Sequence, residues 1–483
     1  MCGPHRNLWA AILVGALGIP VARSQQQTSD QVTALAQNYS SLAKQVSAQD
    51  TNVNPEQLAP DTRPLAGAQD LSLGTPALMR SFWQTLFGLA LTFDTNPLIA
   101  THENALTTWT SAFGGIDMHR ISRGSELNLN YLGGTLAGNN SNAGNSLIQE
   151  LQLSEKLTRR HTAVSFLEQL NYLPEAAFGS DLSGGLSFPD AQGLSLQPVL
   201  TPNQSILTSR SQRISQSFVT EVDRFLTPRS SVTFVGSYSL LRFVDNGFLN
   251  SGEALFQAGY NYQLTSKDTV ALLYRFTALR FSNSNQSING RVAQVAYGRR
   301  ITGQLALHLA AGPEFASFRT PISTSTGAPG GSTTTTSSST AAYWSWDSSI
   351  TYRRQHTELA LTYDRSVSAG AGILAGAITN QMSGSINSRL SPTLKGEFVL
   401  GYARNQGLNV TPQAPAVQSY NYWFSGVNLS HDWGHWTTVF LHYQLQFQNS
   451  NASFCVGMTC APSFVRHTIS IGFGWRPRPI SMP

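Results

Sequence analysis

From about residue 88 to residue 476 the chain repeats one pattern, in which apolar side chains alternate with small or polar ones. In RHTISIGFGW (466–475), His467, Ile469, Ile471, Phe473 and Trp475 fall on one side, and Arg466, Thr468, Ser470, Gly472 and Gly474 on the other. GLALTFD (88–94) sets Leu89, Leu91 and Phe93 against Ala90, Thr92 and Asp94. Tyr260, Tyr262 and Leu264 oppose Gly259, Asn261 and Gln263, and Leu272, Tyr274 and Phe276 oppose Leu273, Arg275 and Thr277. Trp344, Trp346, Ile350 and Tyr352 oppose Ser345, Asp347, Ser349 and Thr351; Phe398, Leu400 and Tyr402 oppose Lys395, Glu397 and Gly401. Successive strand residues point to opposite faces, so each segment predicts a strand with one greasy face and one polar face. A β-sandwich yields a few such strands; here the pattern persists to the end of the chain.

The connections alternate too. Tight turns at TRRH (158–161), TPRS (227–230), TSKD (265–268), ITGQ (301–304), RQH (354–356), SPTL (391–394) and WGH (433–435) are separated by longer Gly-, Ser- and Asn-rich connections. The long ones include 173–212, the low-complexity STSTGAPGGSTTTTSSST (323–340) and a cysteine-bearing loop at 449–463. Counting hairpins back from the last strand gives about 18 antiparallel strands, or about 16 if the first pair is discounted, both even numbers, as pairing the first and last strands antiparallel requires.

The N-terminal region differs. Arg6 precedes the apolar run LWAAILVGALGIPVA (8–22), and Ala22-Arg23-Ser24 offers small residues at a cleavage site, which predicts a signal peptide over 1–24. Val32, Leu35, Ala36, Tyr39, Leu42, Ala43 and Val46 recur at helical spacing, so 25–48 predicts a periplasmic amphipathic helix, open to reading as a plug or a partner-binding element. Pro55, Pro60, Pro64 and Pro76 make 49–78 a linker, leaving 79–483 for the barrel.

Composition sharpens the picture. Charged residues are 12% of the chain, against about 25% in soluble domains, yet mean hydropathy is only −0.14. No run after the N-terminus approaches the ~20 apolar residues of a spanning helix. Low charge with many small polar residues suits strands in lipid, and so an all-β, transmembrane, up-and-down antiparallel barrel. The formal charge of +5 is not clustered, which argues against nucleic-acid binding. Cleavage would leave Cys455 and Cys460, spaced for a loop disulfide in an exported chain, with zinc the weaker alternative.

On these features the chain resembles a bacterial outer-membrane β-barrel of the porin-like type over roughly residues 88–476. The resemblance implies residence in the Gram-negative outer membrane, contact with its lipid, and recognition of an aromatic-ended last strand by the barrel-assembly machinery. Here the strand ends at Trp475 but RPRPISMP follows. Trp433, Trp436 and Trp475 are expected in a periplasmic aromatic girdle, and Tyr420, Tyr422 and Trp423 in the outer one. The resemblance also implies that the 173–212 loop enters the lumen. Its acids Glu175, Asp181 and Asp190 would then face inward-parity charges Arg275, Asp347, Lys395, Glu397 and Arg466, either as a transverse field that sorts solutes by charge or as an ordinary loop above mutually paired wall charges.

Enzyme readings fare poorly. His308 and His442 fall on inward parity, but neither G-x-S-x-G nor H-E-x-x-H occurs in the chain, and nothing predicts a cofactor or metal. HDWGH (431–435) sits on a tight turn and GAGILAG (370–376) in an outer loop, and both read as structural. Two functions follow: a passive pore for small hydrophilic solutes, or a non-conducting component of an envelope assembly, such as polysaccharide export or surface attachment, whose periplasmic partner binds residues 25–78. The oligomeric state is not encoded in any segment.

Overall fold

The computed structural model describes residues 65–67, 81–96, 106–138, 145–173, 206, 212–244, 248–282, 286–325, 332–354, 356–408, 419–451 and 463–482. Eighteen long strands follow one another around a single sheet. The first six are β1 (Phe82–Asp94), β2 (Thr107–Ser122), β3 (Ser125–Gly138), β4 (Ser146–Arg159), β5 (Thr162–Leu173) and β6 (Arg213–Thr227). Next come β7 (Ser230–Phe243), β8 (Ser251–Gln263), β9 (Asp268–Phe281), β10 (Ser287–Arg300), β11 (Leu305–Ser325) and β12 (Ser332–Arg354). The ring is completed by β13 (Thr357–Ser368), β14 (Ala377–Arg389), β15 (Leu394–Gly407), β16 (Ser419–Trp433), β17 (Thr437–Ser450) and β18 (Ser463–Trp475). Each pairs antiparallel with its sequence neighbours, and β1 pairs with β18 from Phe87↔Trp475 to Asp94↔Thr468, so the sheet closes on itself. The predicted count of about 18 holds, and GLALTFD lies within the first strand, as its alternation indicates.

Closure explains how the backbone is satisfied within the ring, where every long strand has two neighbours; only the outward extension of the β11–β12 hairpin stands beyond it, with Ser332–Ser345 of β12 paired to β11 alone. Short turns sit at one end of the ring. Gly124 (φ 86°) and Gly434 (φ 79°) occupy two of them in the left-handed region that non-glycine residues avoid. The long connections lie at the other end. Two departures from expectation stand out. Serine and threonine in the low-complexity stretch pair as strand, so β11 and β12 run together up to Ser325↔Ser332 instead of opening into a loop, in keeping with the β-preference of threonine. The tail beyond Trp475, for which the pattern gives no element, stays on the wall: Gln84 Nε2 donates to the Pro477 carbonyl (2.6 Å), and a short strand β19 (Ile480–Ser481) pairs with Trp83 and Phe82 of β1.

The two faces differ chemically. Outward lie Phe87, Leu89 and Leu91 of β1, Leu272 and Tyr274 of β9, and Ile469, Ile471 and Phe473 of β18, all exposed. Inward lie Thr92, Ser111, Thr233, Gln294, Gln444 and Ser470, all buried within the ring. This is the inverse of a soluble core, with grease outside and hydrogen-bonding groups inside. One sector of the inner wall is apolar. Leu86, Ala90, Trp109, Phe113, Leu132, Leu136, Ile148 and Phe440 pack together across β1–β4 and β17. The predicted signal peptide, the helix over 25–48 and the cysteine pair lie outside the described residues.

Candidate functional site

The inner space of the ring is the site, and its wall charges come from alternate residues of many strands. Arg466 donates to both carboxylate oxygens of Asp94, Nε at 2.9 Å and Nη2 at 2.6 Å, and lies 3.5 Å from Gln446 Oε1. Lys395 pairs with Asp432 near the short-turn end (3.1 Å). Asp347 pairs with His308 Nδ1 (3.0 Å) while standing opposite Asp364 on the next strand. Two like charges facing each other across a ladder repel, so a nearby cation is needed. Arg275 provides it: it interacts electrostatically with Asp364, Glu253 and Glu314, and its guanidinium donates to Gln257 Oε1 (3.0 Å) and Gln294 Oε1 (3.1 Å). Glu314 also accepts from the Val367 amide (3.4 Å). From β8 to β13 the inner face therefore gathers carboxylates around Arg275, while Arg353 of β12 stands opposite Glu358 of β13.

Apolar belts on the outer face, a polar inner face and no free edge are what a strand-built wall needs in hydrocarbon. The chain is an outer-membrane-type β-barrel. Its short turns then mark the periplasmic end and its long connections the outer end. No family model and no curated protein matches the chain. Among solved structures it is similar to the Pseudomonas aeruginosa outer membrane protein OpdK, at 11% identity over 82% of this chain and 99% of that one, with a TM-score of 0.40. It is also similar to P. aeruginosa OccK2 (OpdF) solved with glucuronate (10%, 84% and 99%, TM-score 0.40) and to Acinetobacter baumannii OccAB3 (9%, 82% and 99%, TM-score 0.38). Likenesses this loose carry neither solute nor mechanism, and the barrel assignment stands on the closed wall itself.

At the outer end the barrel is not left wide. Ile206, within the connection from β5 to β6, is fully buried against Leu374, Ala377 and Tyr420, which belong to the opposite side of the ring. A second connection, 369–376, crosses toward β7 and β8. There the Gly372 carbonyl accepts from the Leu249 amide (2.7 Å), and Gly372 lies so close to the Phe243 ring that a Cβ would overlap it. Phe243 stacks on Phe248 (4.6 Å between centroids), and the Arg213 guanidinium sits 5.5 Å from the Phe243 centroid. GAGILAG is thus structural, as its loop position suggests.

Of the expected site residues, Arg275, Asp347, Lys395, Glu397 and Arg466 all lie on the inner face. Arg466 and Lys395 are paired with the carboxylates of Asp94 and Asp432, and Arg275 lies among Asp364, Glu253 and Glu314. Glu175, Asp181, Asp190, Cys455 and Cys460 lie outside the described residues. The aromatic set needs one correction. Trp423, Trp433, Trp436 and Trp475 are exposed, but Tyr420 and Tyr422 are fully buried and point inward, on the parity opposite to Trp423. Three aromatics in a four-residue strand segment cannot share one face. Sequence reading missed Asp94, Glu253, Glu314 and Asp364 as wall charges. Strand parity would have found Asp94, which alternates with Leu91 and Phe93.

Proposed function

We propose that the chain is a passive pore for small hydrophilic solutes that favours cations over anions. The observation carrying this reading is the inner face of an 18-strand ring, large enough for an aqueous channel and lined from β8 to β13 by carboxylates around Arg275. Fixed charge on a narrow wall concentrates counter-ions and repels co-ions. The outer connections would set the size limit. Trp433, Trp436 and Trp475 would anchor the periplasmic rim in the lipid interface, and the β18 end with its β1-bound tail would be the segment read by the assembly machinery. No chemistry on the solute is part of this reading. The test is the reversal potential of the folded protein in a planar bilayer under a salt gradient. A cation-selective potential is expected, and an anion-selective one refutes the charge assignment.

A second reading has one observation in its favour. Residues 65–67 are seated inside the barrel, as suits a component whose N-terminal region engages a periplasmic partner. In that case residues 25–78 would carry the partner contact, and removing them would abolish assembly without altering the wall.

A further inference from the structure

Leu65, Ala66 and Gly67 lie against the inner wall, well upstream of β1 in sequence and distant from it around the ring. Three consecutive inward positions of β8 form a cradle for Ala66. The Ala66 amide donates to Asn261 Oδ1 (2.8 Å), and Gln257 Nε2 donates to the Ala66 carbonyl (2.7 Å). Between them Gly259 leaves the floor open, since any Cβ there would overlap Ala66.

Both amides are held in the orientation they need. Asn261 Nδ2 donates to Thr233 Oγ1 (3.0 Å) and Ser231 Oγ (3.3 Å), so its oxygen is turned to the peptide. Gln257 Oε1 accepts from Arg275 Nε (3.0 Å), so its nitrogen is turned to the peptide. The neighbouring strands supply a pocket. Leu65 packs with Ala271, Leu273, Ala296 and Ala310, and a Cβ on Gly298 would come within 2.9 Å of it. On the other flank, Gly67 lies against the Glu221 carboxylate, whose tip would have to shift to admit a Cβ at that position (2.8 Å from Oε2).

We propose that this cradle is a binding site for an extended small-residue peptide led by an aliphatic side chain, and that residues 65–67 are its resident ligand, a tethered plug in the periplasmic half of the lumen. The site reads a backbone N–H and C=O with fixed donors and acceptors and selects side chains by size. That selectivity fits a chain segment better than a free hydrophilic solute. Because the segment precedes β1, whose first residues lie at the short-turn end, it can withdraw without any wall strand moving. The plug rests on the pore reading for its effect, but docking can be measured without conduction.

Two variants of the full chain test docking, each with Cys2, Cys455 and Cys460 changed to serine. Leu65→Cys with Gly298→Cys should form a disulfide on mild oxidation of the folded barrel. Leu65→Cys with Ser470→Cys, across the ring, should not. A third chain, Leu65→Asp with Ala66→Pro, removes the apolar anchor and the N–H donor without touching the wall, and its conductance steps should be about twofold larger than those of the parent. Absence of the 298 cross-link, or equal cross-linking at 470, overturns the docking site. A 298 cross-link with unchanged steps overturns the plug. If parent and third chain both fold and stay silent, the pore reading fails while the cross-link still reports the site.

Discussion

Arg466 of β18 holds Asp94 of β1 in a two-pronged ion pair, with both side chains buried and the two residues 372 positions apart in sequence. The pair sits on the inner face at the seam where the ring closes, beside a Thr92–Ser470 hydroxyl contact of 2.7 Å. It therefore reports closure directly: the two carboxylate bonds can form only when β1 and β18 are in register.

Removing one partner strands a buried charge, which costs about 3–5 kcal/mol, whereas replacing both with apolar residues is often near neutral. Arg466→Met should therefore lower the temperature at which the folded band converts to the unfolded one on a gel, and Arg466→Met with Asp94→Leu should recover much of the loss. Equal destabilisation by the single and double changes would mean that the pair does not act as a unit at the seam.

The acidic sector should set selectivity. Asp347→Asn with Asp364→Asn removes the two facing carboxylates and should shift the reversal potential toward zero, most clearly at low salt where wall charge is least screened. Neutralising Arg275 in the otherwise unchanged protein should move it the other way. A potential indifferent to all three residues would exclude this sector as the selectivity-determining wall.

Ile206 anchors an outer connection by burial against Leu374 and Tyr420. Ile206→Asp places a charge in that apolar contact, which is disfavoured without a partner, and should free the connection. Step size or flicker in bilayer recordings should rise, with gel mobility unchanged. Identical recordings would show that this contact does not gate the mouth.

At the periplasmic rim Trp475 packs beside Phe87 across the seam, with 6.0 Å between ring centroids. Trp475→Ala removes interfacial aromatic surface and this ring pair, worth about 0.5–1.5 kcal/mol beyond area alone. It should lower the conversion temperature modestly, and Trp475→Phe should restore most of it. The inward Tyr422→Phe should leave lipid anchoring untouched and serves as the comparison.

Strand number and facing were legible because lipid demands apolar side chains on one face while the lumen tolerates polar ones, so period two runs through the chain without interruption. The same logic fails where the lumen itself is apolar. Trp109, Phe113 and Phe440 face inward among other apolar residues, and Tyr420 and Tyr422 look like girdle residues by composition while their parity puts them inside. Ion-pair partners were harder still, since Asp94 and Arg466 meet only through closure of the first strand on the last. The seat of residues 65–67 left no mark in a Pro-rich stretch. Its trace lies in the wall, where Gly259 and Gly298 replace side chains that would fill the space.

The most direct test is single-channel recording of the refolded full chain beside its Leu65→Asp, Ala66→Pro variant, with folding first verified by heat-dependent gel mobility. A pore predicts discrete cation-selective steps in the variant, and smaller or rarer steps in the parent. Two folded barrels that never conduct would contradict it.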